Sequence, residues 1–276
     1  MVGRMKQYDY ISLSKMLIDT EVMNLISKIH EYKGKQELYL TTQPQTLEKL
    51  QAISIIQSID SSNRLEGIST SDKRIKEIVE KKSEPKNRDE SEIAGYRDVL
   101  TLVHENYSYI QLNRNDVLTL HNRLYSYLPD SHKGKYKQID NQIIEEYLDG
   151  TTKVRFTPIS AYETDQNMEQ LYDALNDVVS KTEIDPLLYI PCFILDFLCI
   201  HPFKDGNGRM SRLLTLLLLY KSGYIVGKYI SIEMIIERTK KTYYDSLENC
   251  TVGWHDNENS YLSFIKCMLG VFLMAY

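Results

Sequence analysis

The chain has 276 residues, 42% apolar and 26% charged, enough for one large domain, or a domain with a helical extension, around a real buried core. Its 33 Lys and Arg against 38 Asp and Glu leave a formal charge of −5, so the chain as a whole has no attraction for the phosphate backbone of nucleic acid. The polar start, Met1 to Tyr10, has no apolar signal core, and the longest apolar stretches, Leu187–Ile200 and Leu213–Tyr220, fall short of the roughly 20 residues a membrane span requires.

In chain order, apolar residues recur at helical spacing over about 11–31, 44–66, 90–107, 114–127, 165–181, 186–200, 208–222, 231–250 and 258–274, which predicts an all-α fold. Between the second and third helices, Ser83-Glu-Pro-Lys-Asn-Arg88 is charged, carries a helix-breaking proline and has no apolar residue. It reads as a loop dividing an N-terminal helical region, residues 1–88, from the main body, residues 89–276. Residues 142–159 break the helical rhythm: Ile143, Ile144, Tyr147 and Leu148 precede Asp149-Gly150, and Val154, Phe156 and Pro158 follow. An Asp-Gly between two short alternating runs predicts a β-hairpin. Taken by itself, that hairpin is as readily an isolated surface ribbon as a flap or docking edge. Four dispersed cysteines, Cys192, Cys199, Cys250 and Cys267, form no C-x-x-C pair and have no histidine at ligand spacing. They read as reduced buried thiols, and with the absent signal and span they predict a cytoplasmic protein with no membrane partner.

The segment that carries chemistry is His201-Pro-Phe-Lys-Asp-Gly-Asn-Gly-Arg-Met-Ser-Arg212. Pro202 disfavours helical geometry at His201, so the preceding apolar helix stops there. The next helix restarts near Gly208, and Gly206 and Gly208 flank Asn207 so that the backbone turns tightly with its N–H groups exposed. Free amides at a helix N-terminus form an anion site. Arg209 and Arg212, three residues apart on the first turn, reach the same side, so the loop reads as a polyphosphate cradle. Asp205 beside it is a hard oxygen ligand of the kind Mg²⁺ takes alongside phosphate and water. His201 has the titration range to accept a proton from an attacking hydroxyl, and Phe203 reads as a packing anchor. The segment is neither a P-loop, lacking Gly-Lys-Ser/Thr, nor a dinucleotide fingerprint, because Ser211 stands at the third glycine position.

His201–Arg212 resembles the H-P-F-x-D-G-N-G-R-x-x-R signature of Fic (filamentation induced by cAMP) domain proteins at every fixed position. Outside it, Gly134-Lys-Tyr-Lys137 is similar to the family's G-x-[FY]-R element, with lysine replacing arginine at a contact expected to be peripheral. Val154-Arg-Phe-Thr-Pro158 is similar to the flap, and Tyr243-Tyr244-x-x-Leu247 to the adenine-side Y-Y-x-x-L. The resemblance implies a Fic-type helical bundle with a small β-hairpin flap, and an adenylyltransferase using ATP as co-substrate and Mg²⁺ as cofactor. His201 would deprotonate a Ser, Thr or Tyr hydroxyl of a target protein, which attacks the α-phosphorus of ATP. Asp205 would hold Mg²⁺. Asn207 and the amides of Gly206, Gly208 and Arg209 would bind the α- and β-phosphates, with Arg212 on the γ-phosphate. Thr152, Lys153, Val154 and Arg155 of the flap would lie along the bound ligands and receive the target as an added strand. Tyr243 and Tyr244 would flank the adenine.

Upstream, Ser62-Asn-Arg-Leu-Glu-Gly67 is similar to the family's inhibitory motif, [ST]-x-x-x-E-[GN], placed N-terminal to the catalytic core as in class II members. Glu66 falls at a helix C-terminus, where the dipole disfavours negative charge unless a cation pairs with it. The resemblance makes that cation Arg212 and gives Ser62 the part of fixing the glutamate. Hydrolysis of an AMP–protein bond, transfer of another phosphate-containing group, and a non-catalytic nucleotide sensor all stay open from the residues. Exposed helix faces leave room for a homodimer.

Overall fold

The computed structural model describes residues 6–129, 132–146, 150–181 and 183–276. Among them, most helices begin where a short polar side chain accepts from a first-turn amide, the local reason the chain enters helix there. Asp19 accepts from the Val22 amide, Asn87 from Glu90, Asn113 from Asp116, Ser160 from Glu163 and Asp185 from Leu187. The elements in order are α1 (Tyr10–Ser14), α2 (Thr20–Thr42), α3 (Pro44–Leu65), α4 (Asp72–Lys81), α5 (Arg88–Asn106), α6 (Arg114–Leu124), β1 (Ile143–Glu146), β2 (Thr152–Phe156), α7 (Ala161–Val179), α8 (Pro186–Ile200), α9 (Asn207–Lys221), α10 (Ile232–Arg238), α11 (Lys240–Thr251) and α12 (Leu262–Ala275). Short 3₁₀ turns lie at Val226–Lys228 and Trp254–Asp256.

α8 and α9 form the centre. Each is buried almost all round: α8 is apolar on nearly every face, and α9 becomes so from Leu213 onward, after first turns that bury Asn207, Arg209 and Arg212. α5, α7 and α12 pack around this pair, and α3 lies against α5, α9 and α10. α3 meets the body with small polar residues set around the buried Ile59. Ser54, Ser58, Ser61, Ser62 and Asn63 are all buried, and the Ser58 hydroxyl donates to Glu233 Oε2 at 2.8 Å. A second buried carboxylate, Asp196 in α8, accepts from Tyr10, Trp254 and Tyr261, which joins the N-terminal segment to the C-terminal part of the chain.

The helical reading holds with four differences. The helix expected over 11–31 is interrupted: α1 stops at Ser14, the Asp19 cap starts α2 afresh, and α2 then runs to Thr42 through a polar, largely exposed stretch with no apolar rhythm to signal it. α4 was not expected, because its only apolar residues are Ile75, Ile78 and Val79. α7 begins at Ala161, not 165, where Ser160 caps it. The helix expected over 231–250 divides at Thr239 into α10 and α11. The hairpin is present: β1 and β2 pair antiparallel with Ile144 opposite Val154, and Gly150 sits at φ 79° in the left-handed region. Tyr147, Leu148 and Asp149 of the expected turn lie outside the described residues, as do Met1 to Met5 of the polar start. The four cysteines are free thiols. Among the described residues no helix is long and apolar enough to cross a membrane.

Candidate active site

The loop between α8 and α9 is built by its own residues and braced from α6. His201 ends α8 in the left-handed region at φ 51°, with its amide donating to Phe197 O at 3.0 Å. A non-glycine residue there is strained, and Pro202 behind it blocks the ordinary helical alternative. The ring of Phe203, fully buried, stacks on His121 at 3.7 Å and 3°. Asn207 clasps the Phe203 backbone from both sides: its Oδ1 accepts from the amide at 2.9 Å and its Nδ2 donates to the carbonyl at 2.8 Å. The sequence reading gave Asn207 a direct phosphate contact. Much of its side chain is instead occupied in holding the loop, which leaves its backbone amide for a ligand. Gly206 turns the chain at φ 82°, where a Cβ would also lie 2.9 Å from the Tyr125 hydroxyl.

His121 and Lys137 brace the loop from beneath. The Gly134 amide donates to His121 Nδ1 at 3.0 Å, so His121 carries its proton on Nε2 and donates it to Asp205 O at 3.1 Å. Lys137, 5% exposed, donates from Nζ to Ile200 O at 3.0 Å and to Asn141 Oδ1 at 2.9 Å, while its amide bonds Pro202 O at 2.8 Å. Burial pushes its ammonium down to about 8. Far from peripheral, this lysine is wedged under the histidine.

His201 is neutral at physiological pH, because burial lowers its pKa to about 4 against the opposing hydrogen bond to Leu198. The Leu198 carbonyl, 3.2 Å from Nδ1, can only accept, so Nδ1 holds the proton and Nε2 keeps the basic lone pair. Among the described residues no side chain caps α9, so its first amides face the loop unpartnered by a cap. Arg209, 1% exposed, pairs through Nη2 with Glu92 and the Tyr125 hydroxyl, each at 2.7 Å. Its Nε and Nη1 are buried with no hydrogen-bond partner among the described residues, an arrangement that is costly unless an anion satisfies it. Asp205 is half exposed, with Oδ1 accepting from the Gly206 amide at 2.6 Å. Among the described residues no three His, Cys, Asp or Glu side chains gather to hold a metal by themselves. A lone carboxylate beside an anion cradle is the donor set that suits Mg²⁺, which takes its other ligands from phosphate and water.

A cavity of about 560 Å³ opens from this loop. His201, Gly208 and Arg212 line it together with Tyr243, Tyr244 and Leu247 of α11. Tyr243 is buried and meets Tyr244 edge to face at 5.4 Å. β1 and β2 form a wall through Ile144, Arg155 and Phe156, and Arg155 ties the flap to α11 by pairing with Glu145 of β1 and Glu248 of α11. Thr152 and Lys153 are exposed and do not line this cavity, and Val154 faces a neighbouring groove beside Trp254.

Glu66 stands in the same cavity. It caps the C-terminus of α3, and Gly67 follows at φ 76°. Its Oε1 accepts from Arg212 Nη2 at 2.8 Å, and Ser62 accepts from Nε through its hydroxyl at 2.8 Å and from Nη2 through its carbonyl at 2.9 Å. Burial opposes the charge of Arg212, yet Glu66 beside it holds the guanidinium above its ordinary pKa. A Cβ at position 208 would collide with Glu66 Oε1, so the carboxylate lies directly over the start of α9.

Residues 111–219 match the model of the Fic/DOC family. That stretch holds the whole loop between α8 and α9 and is similar to a Fic/DOC domain. Protein adenylyltransferase fic-1 of Caenorhabditis elegans is 29% identical over 146 residues, 52% of this chain and 25% of that protein. Protein adenylyltransferase Fic of Drosophila melanogaster is 28% identical over 205 residues, 72% of this chain and 37% of that protein. The match thus spans 25% to 37% of the length of these curated relatives. Among solved structures, a Fic family protein from Desulfovibrio desulfuricans superposes with TM-score 0.76 at 24% identity, covering 94% of this chain and 73% of that one. A Fic domain containing signaling protein from Bacteroides thetaiotaomicron gives TM-score 0.73 at 21% identity, covering 93% and 94%. At these identities the likeness establishes a Fic fold.

The Fic signature announced the loop, but Glu92, Tyr125 and His121 were missed. Each reaches the loop from a helix more than 80 residues upstream, and no local pattern marks that approach.

Proposed function

We propose that this Fic protein transfers AMP from ATP to a hydroxyl of a target protein, and that Glu66 restrains it. The observation that carries the reading is the convergence on one cavity of a neutral imidazole, an uncapped helix N-terminus and Arg212. His201 Nε2 takes the proton of the target Ser, Thr or Tyr. The freed oxygen bonds the α-phosphorus, the bond to the β-phosphate oxygen breaks, and pyrophosphate leaves with that electron pair. The α9 amides and Arg209 face the charge that develops on the phosphates. Asp205 is the residue that would hold Mg²⁺, whose chemistry when bound is neutralisation of the phosphate oxygens. The nucleoside lies toward Tyr243 and Tyr244, and a target backbone adds to the flap edge formed by residues 152–155. Glu66 restrains the reaction twice, by holding Arg212 and by lying over Gly208. The relatives' names, protein adenylyltransferase, agree with this chemistry.

The test is intact-mass spectrometry of purified protein incubated with Mg²⁺ and ATP. The natural sequence is expected to acquire little AMP, Glu66→Gly to acquire it at a rate at least about tenfold higher, and Glu66→Gly with His201→Ala to acquire none. A Glu66→Gly protein that stays unmodified while ATP raises its melting temperature would instead support a nucleotide sensor.

A further inference from the structure

Both signature arginines are already balanced by a carboxylate, Arg209 by Glu92 at 2.7 Å and Arg212 by Glu66 at 2.8 Å. A cradle so neutralised is poorly matched to a triphosphate. Glu92, however, receives a second cation. Arg88, the first residue of α5 and one turn before Glu92, donates from Nε to Glu92 Oε1 at 2.9 Å. Two guanidinium groups share one carboxylate that is 3% exposed, so Glu92 balances only one of the two charges.

Where the other charge points is given by a second distance. Arg88 Nη2 lies 4.0 Å from Asp205 Oδ2, too far for a hydrogen bond but within strong electrostatic reach. Its side chain is 71% exposed, and with Nε taken by Glu92 the Nη1 and Nη2 groups keep N–H donors to offer. An exposed i,i+4 ion pair is by itself a surface contact of little consequence. Here the acceptor is buried and shared with Arg209, and Arg88 stands outside the lining of the nucleoside cavity, on the Asp205 side of the loop.

We infer that Arg88 is a third phosphate-binding arginine, which grips the pyrophosphate part of a nucleoside triphosphate before and as it departs. The inference rests on the reading of this loop as a triphosphate cradle. A guanidinium held by one edge presents its other N–H groups to phosphate oxygens in fixed geometry, which an unanchored surface arginine does not.

The experiment is titration calorimetry on the Glu66→Gly protein with Mg²⁺, using inorganic pyrophosphate and AMP as separate probes, alone and with Arg88→Gln or Arg88→Lys. Arg88→Gln is expected to weaken pyrophosphate binding about tenfold and leave AMP binding unchanged, with Arg88→Lys recovering most of the loss. Unchanged pyrophosphate binding would overturn the inference. So would an equal loss of both probes, which would mean that Arg88 only braces α5 and Arg209. Because no turnover is measured, a protein that binds pyrophosphate through Arg88 yet transfers no AMP would contradict the proposed reaction and leave this inference standing.

Discussion

Two histidines set how the protein answers acid. His201 is held at about 4, and His104, buried in α5 with its Nε2 3.2 Å from the Tyr220 hydroxyl, at about 3, both chiefly by burial, whereas an unfolded chain titrates them near 6.5. Below about 6.5 the unfolded chain therefore binds more protons than the folded one. The contribution of both groups is complete above that pH and drains as pH falls toward 4 and then 3, by at most about 1.4 kcal/mol per unit per histidine. Melting temperature is expected to drop between pH 7 and 5, and less steeply in His104→Gln. A flat profile would mean the imidazoles are not held neutral. The kinetic counterpart is that kcat/KM of a Glu66→Gly protein shows no titration near 6.5, since the base is already deprotonated there. The histidine and both arginines were legible from the signature, because spacing within twelve residues encodes them. Lys137 was misjudged, since its contacts with Ile200 and Pro202 are made across the fold, not along the chain.

At the scale of elements, the proposed restraint depends on how α3 is held, since Glu66 reaches Arg212 only if the helix end is fixed. Arg64 fixes it from outside the cavity. It donates from Nε to Glu237 Oε1 at 2.7 Å and from Nη2 to Oε2 at 2.9 Å, a two-pronged pair between α3 and α10 that also engages Asp60. Bidentate geometry makes such a pair more specific than an ordinary surface contact, though part exposure limits its strength. Ser58 on Glu233, one helical turn before Ser62, holds the inner face. Glu237→Ala is expected to raise self-modification a few-fold with Glu66 intact, well below the release given by Glu66→Gly, measured by the same mass shift. Equal silence in Glu237→Ala and the natural sequence would show that Glu66 needs no latch on α10. None of this was readable from the sequence, where Arg64 offered only its local neighbours. One of the misplaced breaks has a similar cause. Asp19 interrupts a stretch whose apolar rhythm continues, because its side chain caps α2 through the Val22 amide, whereas the break at Thr239 has no such side-chain cap.

For the whole molecule, the arrangement is a buried helical pair, α8 and α9, whose connecting loop is the proposed chemical centre, with α3 laid against it as the proposed cover and β1–β2 as a wall. The bundle was predictable because helices buried on all faces announce themselves by composition. The cover was predictable only by resemblance, since six residues ending in Glu-Gly carry no fold information without the arginine they meet. The cavity unites residues from 66 to 251, so its shape is a property of the assembled chain. The most direct measurement is a crystal structure of Glu66→Gly with Mg²⁺ and a non-hydrolysable ATP analogue. The phosphates are expected over the first turn of α9, hydrogen-bonded to the Gly208 and Arg209 amides, with the adenine beside Tyr244. Phosphates bound at any other place on the molecule would contradict it.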